Sequence, residues 1–158
     1  MRSRLAFKIV MFSVLAVMFT TSTVFAAGPM IRPFSATVEV GQTVSNGRTW
    51  VDKQGITHFR GMVVNGIIAG DINGQIQLTQ NFDIDATFSG DIQATAVITS
   101  VSGELYRMFA IVTLQAGKLS GIFVIYGMGS ASKTFVFGTI SGMLGNLVHL
   151  AGTQIVHN

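Results

Sequence analysis

The chain has 158 residues, ten basic and seven acidic side chains, three histidines, 18 glycines and no cysteine. Without cysteine it has no disulfide framework, no thiolate metal site and no cysteine nucleophile. Charged residues make up 11 % of it, against roughly 25 % in ordinary soluble domains, and so sparsely charged a surface favours association.

Residues 1–26 differ from the rest. Arg2, Arg4 and Lys8 make a basic start, residues 9–19 form an apolar run broken only by Ser13, and residues 20–26 are small and mostly polar, ending Val24-Phe25-Ala26. This is the order of a secretory signal peptide, with cleavage expected after Ala26 and a secreted or periplasmic product. An uncleaved anchor is the alternative, but the apolar run is shorter than the roughly 18–20 residues of a spanning helix. No stable membrane span is therefore expected after cleavage. Three of the ten basic residues lie in this leader, which leaves seven against seven. The neutral remainder carries no Lys/Arg cluster, so no nucleic-acid partner is expected.

Residues 27–36 hold both prolines and read as an extended N-terminal segment ahead of a β-barrel domain over 37–158. Beyond them Val, Ile, Thr and Phe alternate between glycine-rich turns. Strands are expected over 37–40, 43–51, 58–65, 67–71, 75–83, 86–88, 92–101, 104–115, 118–126, 133–140 and 147–156, with Asn46-Gly47 as a turn dipeptide. Gly117-Lys118-Leu119-Ser120-Gly121 is echoed by Gly138-Thr139-Ile140-Ser141-Gly142, and Gly70-Asp71-Ile72 by Gly90-Asp91-Ile92. These echoes fit an up-and-down meander. Gly61, Gly66, Gly70, Gly121 and Gly138 fall inside strands, where glycine marks a bulge, a bend or a close approach. Closing a barrel needs such bends. The fold class expected is all-β, a small antiparallel up-and-down β-barrel of about eight strands.

Alternation splits residues 104–115 into two faces, one with Tyr106, Met108, Ala110, Val112 and Leu114, the other with Leu105, Arg107, Phe109 and Ile111. Neither face is cleanly polar. The outer one is covered either by another subunit, making a homo-oligomer, or by lipid; the first is favoured because no aromatic girdle is evident.

The stretch His58-Phe59-Arg60-Gly61, Gly66-Ile67-Ile68-Ala69-Gly70-Asp71-Ile72-Asn73-Gly74 and Asn81-Phe82-Asp83-Ile84-Asp85, with the tail Gly145-Asn146-Leu147-Val148-His149-Leu150-Ala151-Gly152-Thr153, resembles allene oxide cyclase-like and dirigent-like barrels over about residues 37–156. The resemblance implies an eight-stranded barrel with an apolar cavity, often trimeric. The catalytic residues of that family have no matching positions here, so its cyclase activity is not carried over.

Catalytic motifs are absent. His58, His149 and His157 lack the spacing of a metal site, and no G-x-S-x-G elbow occurs. Asp83 and Asp85 lie on one strand face, but turn chemistry accounts for the aspartates and for Asp71-Ile72-Asn73-Gly74. No catalytic residue, metal or cofactor is assigned. Arg60, Glu104, Tyr106 and Tyr126 are candidate ligand-binding residues if they point into an apolar interior, and rim residues otherwise. Trp50, near a turn, is a candidate plug for one barrel end. The leading expectation is a non-catalytic barrel holding a small apolar ligand in its interior. The alternatives are an extracytoplasmic oligomeric interaction module and an isomerase or cyclase using Glu104 or Asp83.

Overall fold

The alternation is realised over most of the described residues. The structure, a computed structural model, describes residues 28–145 and 147–157, so the expected signal peptide lies outside the described residues. Nine strands follow in order: β1 (Met30–Ser45), β2 (Arg48–Val51), β3 (Thr57–Gly70), β4 (Gly74–Ile84), β5 (Gly90–Ser100), β6 (Leu105–Gln115), β7 (Lys118–Met128), β8 (Thr134–Met143) and β9 (Val148–Val156). Each strand from β3 to β9 pairs antiparallel with the next, β9 pairs with β1, and β1 closes the circuit on β3. β1 and β2 lie along the same edge of β3, so the result is a closed eight-stranded barrel with one extra strand. Among the described residues no helix is long and apolar enough to cross a membrane.

Several sequence expectations change, and the strands expected over 58–65 and 67–71 form one, β3. Residues 30–36 are not a separate segment: they are the first half of β1, paired with β9 from Met30↔Val156 to Ala36↔Leu150. Pro33 fits because β1 has only one partner there, β3 joining at Ala36, and a one-sided strand tolerates a missing N–H. Asn46-Gly47 does not turn the chain back: the strand breaks and continues as β2 beside the same neighbour. Residues 86–88 form no strand but belong to the turn between β4 and β5.

The strand glycines have a steric reason. Gly138 and Gly152 face each other across β8 and β9, and a Cβ on either would run into the opposite backbone. The barrel wall is that tightly coiled, and only glycine permits it.

The two ends of the barrel differ. The turns 52–56, 85–89 and 116–117 and the end of β8 with Leu144 gather at one end, called here the hairpin end; Met30, Val156 and the other turns lie at the opposite, terminal end. Toward the terminal end Ile68, Ile76, Ile98, Ile125 and Val136 are completely buried, and Phe34 packs on Phe123 with ring centroids 6.0 Å apart. Arg32 donates from Nε to Gln154 Oε1 (3.0 Å), and Tyr106 donates from its hydroxyl to Glu104 Oε2 (3.0 Å). Asp71 Oδ2 accepts the Ser35 N–H at 2.7 Å, pinning the β3–β4 turn to β1. Toward the hairpin end small side chains such as Ala94 and Ala110 face inward and leave a cavity of about 70 Å³ lined by Leu78, Gln80, Ile92, Met108, Val112 and Ile140, among others.

Candidate functional site

The hairpin end opens beyond that cavity into an apolar crevice of about 550 Å³, lined by Thr57, Phe59, Met62, Phe82, Ile84, Phe88 and Leu144 with Gly55, Asp85 and Ala86. Cavity and crevice adjoin: Gln80 and Ile92, which line the cavity, sit opposite Met62 and Phe82, which line the crevice. Its floor comes from β3 and β4, where Phe59 pairs with Phe82 and the two rings stack with centroids 4.1 Å apart. A register shift follows, between Phe59 and Met62. Gly61 absorbs it at φ +71 and donates its N–H to Asn81 Oδ1 at 2.8 Å. One extra residue at the bulge brings both Phe59 and Met62 to the inner face, which strict alternation could not do.

The rim is held by turns that bond to one another. Asp85 Oδ1 accepts from the backbone N–H of Thr87 (2.8 Å) and of Ser89 (2.9 Å) and from the Thr87 hydroxyl (2.7 Å). That hydroxyl, followed by the Ser89 amide, holds the Asp85 carboxyl below its ordinary pKa. The turn sets Phe88 at φ +56, a left-handed backbone that costs a non-glycine residue roughly 1–2 kcal/mol. Phe88 nevertheless exposes 61 % of its surface. Gly117 then joins the two sides of the rim: its N–H donates to Phe88 O (3.2 Å), and its carbonyl accepts the Leu144 N–H (2.9 Å). Backbone strain of this kind collects at functional sites. The backbones that carry Phe88 and Leu144 are thus tied together.

Behind the floor, on the outer face, lies a polar cluster. His58 Nδ1 is 2.6 Å from Asp83 Oδ1, and His58 Nε2 is 3.1 Å from Asp52 Oδ2. Arg60 grips Asp83 with both terminal nitrogens, at 2.7 and 3.0 Å, and donates to Phe59 O and Phe82 O. It therefore supports the Phe59–Phe82 stack from behind. Trp50 stacks on the His58 ring at 4.9 Å. The bonds to Asp83 and then Asp52 raise the His58 pKa. Arg60, then His58, lowers that of Asp83, and the Ile56 amide, helped by His58, lowers that of Asp52. Both ring nitrogens of His58 are engaged, so it cross-links the strands and has no free nitrogen to act as a base.

The four candidate ligand residues do not converge. Tyr106 points inward at the terminal end, where burial and then its bond to Glu104 push its pKa to about 12. Glu104 caps that end, receiving the Ser102 hydroxyl at 3.0 Å as well. Arg60 is on the outer face at the hairpin end, and Tyr126 is on the outer wall, its ring 6.1 Å from that of Phe109. Trp50 stands on the outer face, half exposed, and plugs neither end. The residues that build the crevice were not singled out from sequence. A cluster of phenylalanines beside predicted turns, Phe59, Phe82 and Phe88, was the available signal. Among the described residues no three His, Asp or Glu side chains group as a metal ion would need. No protein family, curated protein or solved structure matches this chain.

Proposed function

We propose that this chain is a non-catalytic binding barrel that takes one small apolar molecule into the crevice at its hairpin end. The observation that carries the reading is the crevice itself: about 550 Å³, apolar, rimmed by a strained and exposed Phe88 on hydrogen-bonded turns. Ligand sites typically measure about 300–1,000 Å³ and are mostly apolar with few polar groups. The inner cavity of about 70 Å³ is far below that range, so the body of the ligand sits in the crevice. An eight-stranded barrel is the fold implied by the allene oxide cyclase-like resemblance, but fold alone does not carry an activity. Glu104 and Asp83, the carboxylates an isomerase reading would use, lie at opposite ends of the barrel and neither lines the crevice.

The test is a titration with the apolar dye N-phenyl-1-naphthylamine, with fatty acids and terpenoids as competitors. Saturable binding at one site per chain, weakened at least tenfold by Phe88→Ser or Leu144→Ser, supports the reading. Binding that ignores both substitutions, or fails to saturate, overturns it.

A further inference from the structure

The outer wall of the barrel is two-sided. Over β4 and β5 its outward residues are mostly polar, Gln75, Gln77, Thr79, Gln93, Thr95 and Thr99 among them, with Val97 the one exposed large apolar side chain. Over β6, β7 and β8 the register builds three outward rows: Arg107–Tyr126–Phe135, Phe109–Val124–Phe137 and Ile111–Ile122–Thr139. Exposure there is high for apolar side chains: Phe109 46 %, Ile111 61 %, Ile122 62 %, Phe135 38 % and Phe137 44 %. With roughly 150–250 Å² per large side chain, these five leave on the order of 500 Å² of contiguous apolar surface in contact with water.

We infer that this wall is the contact face for a second copy of the same chain in a two-fold dimer. Area is the first reason. The apolar field alone supplies more than half of the roughly 800 Å² per partner of a standard interface, and Val124, Tyr126 and the polar margin extend it. Symmetry is the second. Set against its own copy about a two-fold axis, the field makes an isologous contact, which closes at two chains. Charge is the third. Arg107 is the one formally charged residue in the three rows, whereas a lipid-docking face carries several basic residues beside its apolar ones. A membrane-spanning belt would have to be apolar all round, and β4 and β5 are polar. The contact leaves the hairpin end open, so this inference does not rest on the ligand reading.

Sedimentation equilibrium on the purified chain tests it. A two-copy species through the micromolar range is expected. Ile122→Lys with Phe137→Lys should weaken it at least a hundredfold with an unchanged far-ultraviolet circular dichroism spectrum, and Gln77→Lys on the polar wall should leave it intact. Because the chain has no cysteine, Ile122→Cys supplies a single thiol, and mild oxidation should link two copies without disturbing the fold. A monomer, a three-fold species, or an Ile122→Cys chain that does not cross-link overturns the inference. Flotation of a monomer with phosphatidylcholine vesicles, abolished by the double lysine variant, would also overturn it and assign the wall to lipid.

Discussion

The two ends of this barrel are built from the same strands and put to different uses. At the terminal end β-branched residues fill the interior, and bonded polar pairs close it over: Arg32 with Gln154, Tyr106 with Glu104, Asp71 with Ser35. At the hairpin end the inward Ala94 and Ala110 leave a cavity, a bulge turns Phe59 and Met62 the same way, and a strained Phe88 stands in the open. The first arrangement favours close packing and the second favours apolar surface within reach of solvent. Stability and binding are thereby separated along one axis, and substitutions at the two ends should behave oppositely.

The largest contrast is expected between Ile98 and Phe88. Ile98→Ala removes a completely buried side chain and should cost about 2–5 kcal/mol in urea unfolding. Phe88→Gly relieves a left-handed backbone and should leave stability unchanged or raise it by up to about 1 kcal/mol, while dye affinity falls at least tenfold. Equal destabilisation by the two would erase the distinction. Next come the inward alanines. Ala36→Val overfills the packed end, where Ala36 meets the Gly70 backbone, and should cost about 1–3 kcal/mol. Ala94→Val lines the cavity and should be near neutral by the same assay. A smaller effect, about 1 kcal/mol, is expected for Tyr106→Phe, which removes the hydroxyl that donates to Glu104; dye binding should not change.

The smallest effect is electrostatic, on the outer cluster. The raised pKa of His58 means its contribution is complete below pH 6.5 and lost as pH rises through the folded-state value. The lowered pKa values of Asp83 and Asp52 act in the other direction: their contribution is present above pH 3.8 and lost as pH falls. The thermal midpoint should therefore be highest between those limits and decline modestly on both sides. His58→Gln should flatten the alkaline decline and keep the acid one, because Arg60 still holds Asp83. A decline on the alkaline side that survives His58→Gln would remove this cluster as its cause.

Most of the fold was legible, because a period of two and a glycine at each close approach are local signals. Gly66, Gly70, Gly121 and Gly138 stand where an added Cβ would strike the neighbouring strand's backbone, and Gly61 marks the bulge. The first half of β1 was hidden by Pro33, which reads as a strand breaker unless the one-sided pairing is known. The crevice was hidden by the bulge: one extra residue at 60–61 inverts the inside–outside parity of everything before it, placing Phe59 within and Arg60 without. Glu104 and Tyr106 do meet, but as a closure of the packed end. The chemistry of a polar pair was visible in the sequence, and which end of the barrel it closes was not.

Photolabelling tests the binding role of the hairpin end most directly. A fatty acid carrying a benzophenone, bound at stoichiometric concentration and mapped by mass spectrometry, should label Phe59, Met62, Phe82, Phe88 or Leu144, and unlabelled ligand should compete it away. Label on the β6–β8 wall or at the terminal end, or label that does not saturate, would contradict the account.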